Sequence, residues 1–282
     1  MTLTGAGKVA GVIGWPIGHS KSPQLHHYWI DRHGVDGVVV PLAVAPENLE
    51  DTLRALPKLG FAGVSVTIPH KETCRAFLDE VTPLVSTVGA CNMIAVRDGK
   101  LIGDNTDVFG FAENLRLGAP HLQADRPALV LGAGGAARAV VAGLAHLGFA
   151  KVVMANRTIE RAKLIAADME QPLGISIEIV PWQQLGEVLA DAGVLVNTTS
   201  LGMVGQPPLD CDLGPLPASC VVTDIVYQPL ETDLLKRAAA KGCATVDGLG
   251  MLLHQGRPAF RAWFGIDPEV TDDQRALVLS LK

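Results

Sequence analysis

Two rhythms of apolar and polar positions alternate along this chain. Short runs rich in β-branched and aliphatic residues read as strands: Val9–Ile13, Val38–Val44, Gly63–Ile68 and Met93–Val96, with a shorter one near Leu101. Helical spacing begins at Pro23, Pro46 and His70, and again near Asp107. Proline suits the first turn of a helix, where its missing N–H has no partner to lose. From Arg126 the rhythm becomes more regular. Ala128–Leu131, Lys151–Met154, Ile175–Val180, Gly193–Asn197, Val221–Ile225 and Thr245–Val246 read as strands, and Gly135–Leu147, rich in Ala and Leu, reads as a helix. This alternation predicts an α/β protein built on parallel sheets.

Two features punctuate the pattern. The stretch Leu117–Pro127, with Gly118, Pro120 and Pro127, has boundary composition. After Gly248 the pattern turns helical and cannot extend a sheet, so it is expected to pack back on the first domain. The predicted organisation is an N-terminal α/β domain over residues 1–112, a doubly wound domain with a parallel sheet over 113–247, and helices over 248–282 returning to the first.

Composition changes this picture little but excludes several classes. The chain has 282 residues, enough for two cores, and 48% of them are hydrophobic. A formal net charge of −6 offers no basic surface for a nucleic-acid backbone. No apolar run approaches the roughly 20 residues of a membrane span, and Met1–Gly5 lacks the pattern of a secretory leader. The five cysteines (74, 91, 211, 220 and 243) are scattered without a Cys-x-x-Cys pair, so neither a disulfide framework nor a structural metal is expected. A reduced, cytoplasmic setting is the simplest expectation.

The clearest chemistry lies at the start of the regular half. Leu129–Leu131 leads into Gly132-Ala133-Gly134-Gly135-Ala136-Ala137, a G-x-G-x-x-A pattern between a strand and a helix. Gly132 permits the tight turn, Gly134 lets backbone approach a pyrophosphate, and the small Ala137 lets the helix sit on the strand. The helix N-terminus then offers free N–H groups to phosphate. Alone, the pattern also fits an ordinary strand–helix turn. Its position at the head of a βαβ series points to a Rossmann domain. An NAD site expects an acid about 20 residues further on. Here the chain reads Asn156-Arg157-Thr158, with Arg161 one turn later and no acid. Arg157 offers a donor fork suited to a 2′-phosphate. NADP is therefore the expected cofactor, against the alternative that Arg157 is a solvated helix-start residue.

A dehydrogenase also needs a proton-transfer group. A cysteine-rich zinc set is absent. A Tyr-x-x-x-Lys pair is absent too, because Tyr28 and Tyr227 are followed four positions later by Arg32 and Glu231. Polar motifs instead sit at strand ends in the first half: Gly14–Pro23 with Ser20 and Ser22, Ser65–Lys71, Gly89-Ala90-Cys91-Asn92, and Gly103–Asp107.

Taken in order, with the glycine loop, Asn156-Arg157-Thr158, Asp224-Ile225-Val226-Tyr227 and Gly248–Gln255, these motifs resemble the shikimate dehydrogenase family over nearly the whole chain. The resemblance implies NADPH-dependent, reversible reduction of 3-dehydroshikimate to shikimate, with residues 1–112 as the substrate-binding catalytic domain, in a monomer or homodimer. It implies that Lys71 and Asp107 form the catalytic pair and also touch substrate. A lysine is a poor base at neutral pH, so Lys71 is expected to donate a proton during ketone reduction. Ser20 and Ser22 would bind the substrate carboxylate, with helix N-capping as the equal alternative. Thr67, Asn92, Tyr227 and Gln255 would bind ring hydroxyls or carboxylate. Gly132, Ala133, Gly134, Gly135, Ala136, Asn156, Arg157, Thr158, Arg161, Ile225 and Gly248 would hold the cofactor. Two positions depart from the family's commoner pattern: Ser65 stands where Asn is usual, and Met93 where Thr usually follows Asn92. Both bear on turnover and substrate choice, so a quinate- or amino-shikimate-type activity is the alternative within the family, though Ser22 leans away from quinate. A dinucleotide-sensing module without turnover is the alternative outside it.

Overall fold

The computed structural model describes residues 3–281. The chain divides into two compact units, Met1–Thr106 with Leu253–Lys282, and Asp107–Leu252. The chain therefore passes between units at 106/107 and 252/253, rather than at the expected 112/113 and 247/248.

The first unit carries β1 (Lys8–Gly14), α1 (Ser22–His33), β2 (Gly37–Ala43), α2 (Leu49–Ala55), β3 (Phe61–Val66), β4 (Glu80–Val81), α3 (Pro83–Val88), β5 (Met93–Arg97) and β6 (Lys100–Asp104). Its sheet has the order β2-β1-β3-β5-β6-β4. The expectation of parallel sheets fails here. The pairs β1–β2, β1–β3 and β4–β6 are parallel, but β5 runs antiparallel to both β3 and β6. The reason is connectivity: β5 and β6 are joined by the tight turn at Asp98-Gly99, both at positive φ, which returns the chain at once and permits only antiparallel pairing.

The second correction concerns the helix expected from His70. A 3₁₀ helix over Thr73–Phe77 is found instead. A regular α-helix from His70 would need the Lys71 carbonyl to accept from residue 75. That carbonyl accepts from Cys91 N at 2.7 Å, so the α-ladder is interrupted where it would begin. At Pro46 the chain makes one 3₁₀ turn, Pro46–Asn48, before α2. Helix α3 is a further helix beyond those expected, marked by Pro83 in its first turn and Gly89 in the left-handed conformation at its C-cap.

The second unit begins with α4 (Asp107–Gly118). It continues through β7 (Ala128–Leu131), α5 (Gly135–His146), β8 (Lys151–Asn156), α6 (Ile159–Leu173), β9 (Ser176–Pro181), α7 (Leu185–Val188), β10 (Val194–Asn197), β11 (Val221–Asp224), α8 (Asp233–Ala240) and β12 (Ala244–Val246). Its sheet is parallel throughout, in the order β12-β11-β10-β7-β8-β9. Read from β9, that is the 3-2-1-4-5-6 order of a doubly wound sheet, which reverses direction between β7 and β10. All four residues of β7 are fully buried, as a strand covered on both faces requires.

Helix α9 (Leu249–Phe264) leads back into the first unit, where α10 (Asp272–Ser280) follows. There Trp29, Phe260 and Trp263 surround His26, whose imidazole lies 6.1 Å from Phe260, nearly parallel to it. The Trp263 indole N–H donates to the Ile94 carbonyl at 3.1 Å, and that of Trp29 to Glu269 at 2.9 Å. Among the described residues, no helix is long and apolar enough to cross a membrane.

Candidate active site

The predicted substrate residues fall into both units. Ser20, Ser22, Thr67, Lys71, Asn92 and Gln255 belong to the first, Asp107 and Tyr227 to the second.

In the first unit the strand ends are knitted by backbone. Trp15 N donates to the Ile68 carbonyl and Thr67 N to that of Ile13, which ties the end of β1 to the segment after β3. His70, buried, donates from Nε2 to the Val44 carbonyl at 2.7 Å. The turn that presents Lys71 is thus held on one side by His70 and on the other by Cys91 N, which donates to the Lys71 carbonyl. Asn92 follows Cys91 and is buried. Its Nδ2 donates to Gln255 Oε1 at 3.1 Å and to Thr106 Oγ1 at 3.0 Å, and its Oδ1 accepts from Thr106 N at 2.6 Å. Asn92 and Gln255, 163 positions apart, are therefore brought together, with Thr106 as the third member of a polar knot. Thr106 lies in the Asn-Thr-Asp segment and is not among the residues expected at the site. Its position just before Asp107 was the available signal. Gln255, read alone as a solvated helix face, is instead half-buried and bonded.

Ser20 and Ser22 flank the start of α1. The N-cap is Lys21, and no side chain caps the helix, so the capping alternative for the serines does not hold. Ser20 Oγ accepts only a long 3.4 Å contact from Ser22 N. The first turn of α1 also contains no acid. The two departures from the family pattern, Ser65 and Met93, stand directly opposite each other in the antiparallel β3–β5 pair. They are one cross-strand pair, and cross-strand neighbours pack together.

In the second unit, Gly132 has φ +102°, and a Cβ there would lie 2.8 Å from Thr199 and 2.9 Å from Thr198. Only glycine fits. Thr198 donates to the Leu131 carbonyl from both its N–H and its hydroxyl. The loop after β7 thus sits against the end of β10, at the switch point of the sheet, where ligands of such sheets bind. Beyond it Gly134 and Gly135 are exposed, and a Cβ on either would meet nothing within 4 Å. Gly134 caps α5 with extended backbone and Ala137 is fully buried beneath. This is open space above a helix N-terminus, the shape a pyrophosphate requires. At the end of β8, Asn156 Nδ2 donates to the Thr158 carbonyl at 2.7 Å, which shapes the turn. Arg157, Thr158 and Arg161 are exposed, and among the described residues neither arginine forms a salt bridge. Arg138, by contrast, is paired with Asp168.

A cavity of about 320 Å³ lies between Thr198–Ser200 with Met203 and Ile225–Gln228, so Ile225 and Tyr227 share one pocket. Burial pushes the Tyr227 phenol above its usual range. Beneath this pocket Asn197 and Asp224, the last residues of β10 and β11, stand in register. Asp224 is fully buried and accepts from Asn197 Nδ2 at 2.9 Å, Val226 N at 3.0 Å and Thr232 Oγ1 at 2.8 Å. Burial raises its carboxyl pKa, and these bonds oppose the rise. Sequence reading missed the pair. The signal was a polar residue ending each of two apolar strands. Gly248 backs the same turn: a Cβ there would fall 2.4 Å from the Ile225 carbonyl oxygen.

A doubly wound parallel sheet with a glycine loop at its switch point, arginines beyond β8, and a separate α/β unit carrying a lysine and a polar knot define a pyridine-nucleotide-dependent dehydrogenase of two α/β units. The chain belongs to the shikimate dehydrogenase family. Family models match the shikimate dehydrogenase substrate binding domain at residues 12–94, shikimate/quinate 5-dehydrogenase at 118–203, and the shikimate 5′-dehydrogenase C-terminal domain at 248–277. The chain is 58% identical over 279 residues to the shikimate dehydrogenase (NADP⁺) of Rhodospirillum rubrum, covering 98% of this chain and 99% of that one. Among solved structures it resembles shikimate 5-dehydrogenase of Thermus thermophilus in complex with NADP(H) and shikimate, at 36% identity and TM-score 0.83, covering 97% of this chain and 100% of that one. It also resembles quinate dehydrogenase of Corynebacterium glutamicum in complex with NAD, at 33% identity and TM-score 0.91, covering 98% and 99%.

Proposed function

We infer that this chain catalyses the reversible, NADP-dependent reduction of 3-dehydroshikimate to shikimate, the oxidoreductase step that serves aromatic amino-acid biosynthesis. The observation that carries the reading is the combination, in one chain of this family, of Lys71 on a backbone-anchored turn with Arg157 and Arg161 at the end of β8 where an NAD site would place an acid. Gly132–Ala136 and the N-terminus of α5 hold the pyrophosphate, Asn156, Arg157, Thr158 and Arg161 the 2′-phosphate, and Ile225 and Gly248 the nicotinamide end. When bound, NADPH supplies the hydride.

The residues of the chain do the rest. Ser20 and Ser22 take the carboxylate at the acid-free start of α1. Thr67, Asn92, Tyr227 and Gln255 bind the ring, and Asn92 and Gln255 arrive already oriented by Thr106. Lys71 gives its proton to the carbonyl oxygen as the carbonyl carbon becomes C–H, so the C=O bond becomes an alcohol. Asp107 is the second residue of the catalytic pair that the family resemblance implies. Oxidation runs the same proton back to Lys71. Five free, buried cysteines support a reduced, cytoplasmic setting.

Lys71→Ala tests the assignment. General acid–base groups contribute about 10²–10⁴-fold, so kcat should fall by about that factor while NADP⁺ affinity, read by tryptophan fluorescence, stays unchanged. An unchanged rate would remove Lys71 from the chemistry.

A further inference from the structure

We propose that Lys21 is a positioning residue for the substrate carboxylate, clamping the Ser20–Ser22 segment to the C-terminal end of α10 instead of pairing with the carboxylate itself. The inference rests on the reading that Ser20 and Ser22 bind that carboxylate. A lysine between two carboxylate-binding serines looks like the counter-ion. Its ammonium is engaged elsewhere: Nζ donates to the Leu281 carbonyl at 2.8 Å and to that of Val278 at 3.2 Å. Those oxygens belong to the last turn and C-cap of α10, where carbonyls lack intrahelical partners and the helix carries partial negative charge. The sequence of α10 places no basic residue in its own last turn. Lys21 supplies that cation from 257 and 260 positions away.

The anchor it grips is firm. Thr271, the N-cap of α10, bonds Tyr28 Oη at 2.7 Å, and the fully buried Gln274 donates from Nε2 to the Leu25 carbonyl at 3.2 Å. Helix α10 is therefore fixed to α1 at its first turn and holds the start of α1 through Lys21 at its last. Locally the segment is held by backbone alone, the long Ser22 N contact to Ser20 Oγ apart: Ser20 N donates to the Ile17 carbonyl at 3.0 Å, and the Lys21 carbonyl accepts from Leu25 N at 3.1 Å. The carboxylate is then met by neutral hydroxyls and backbone N–H groups, with the cation behind them setting their geometry.

The test compares Lys21→Met, Lys21→Arg and Ser22→Ala in steady-state oxidation of shikimate, each checked for an unchanged thermal transition. Lys21→Met should raise KM for shikimate about tenfold, the size of one charge-assisted hydrogen bond, and leave kcat and KM for NADP⁺ within about twofold. Lys21→Arg, which still donates to carbonyls, should recover most of the loss. The KM of the unsubstituted enzyme should vary little with ionic strength. The proposal is overturned if Lys21→Met leaves KM unchanged. It is equally overturned if KM rises steeply with salt and Lys21→Met abolishes that dependence, which would make Lys21 the direct counter-ion. If Ser22→Ala has no effect on KM, the carboxylate reading itself fails, and the proposal with it.

Discussion

The polar groups proposed to meet ligands are arranged in opposite ways in the two units. In the first, Asn92 is buried, and its amide nitrogen and oxygen are both engaged, with Thr106 and Gln255. In the second, the glycine loop opens onto empty space, and Arg157 and Arg161 are exposed with no ion-pair partner among the described residues. A small, hydroxyl-rich acid has to be told from close relatives, and a site does this with groups whose orientation is fixed in advance and whose mispairing is costly. A dinucleotide phosphate is recognised by charge and by backbone, and exposed arginines suffice. The first arrangement is expected to couple binding to stability, and the second to leave them separate.

Breaking the knot should therefore have the larger and broader effect. Asn92→Ala strands Thr106 N in a buried site, at about 1–3 kcal/mol for an unsatisfied buried donor, and releases Gln255. We expect kcat/KM for shikimate to fall by about 10²-fold or more with a lowered Tm. A loss of activity with no change in Tm would show that the knot is not structural.

Arg157→Ala sharpens the contrast from the other side. Charge-assisted hydrogen bonds are worth about 1.5–3 kcal/mol, so KM for NADP⁺ should rise by about 10–100-fold. KM for NAD⁺, KM for shikimate and Tm should barely move. An equal rise for both cofactors would mean that Arg157 does not read the 2′-phosphate.

The smallest effect concerns stability alone. His26 is fully buried among aromatic rings, its Nδ1 has no hydrogen-bond partner among the described residues, and burial lowers its pKa from 6.5 to about 3. The unfolded chain thus binds this proton more tightly than the folded one. Stability from His26 is complete above about pH 6.5 and is lost as pH falls towards 3, by roughly 2 kcal/mol at pH 5. His26→Phe should flatten that acid limb in urea denaturation at pH 7 and 5. An undiminished pH slope would place the acid sensitivity elsewhere.

The same contrast explains what could be read from the sequence. The proposed cofactor site draws on one βαβ unit, so Gly132, Gly134, Arg157 and the missing acid lie within some 30 residues, and local rules reach them. The knot draws on residues 92, 106 and 255, and no periodicity links them. Only the order of motifs along a family pattern nominated Asn92 and Gln255, and Thr106 escaped because it had no motif role of its own. Asn197 and Asp224 escaped for a related reason: their partnership exists only once β10 and β11 lie side by side. The antiparallel β5–β6 pair does carry a local signal, Asp98-Gly99 between two apolar runs, whereas the 3₁₀ turn after His70 depends on the long-range bond of Cys91 N to the Lys71 carbonyl.

The most direct test of the account is a steady-state comparison of shikimate and quinate, each with NADP⁺ and NAD⁺. The highest kcat/KM is expected for shikimate with NADP⁺, at least tenfold above NAD⁺ with the same acid, as the loss of one charge-assisted contact requires, and lower still for quinate with either cofactor. A preference for quinate, or equal use of NAD⁺, would contradict it.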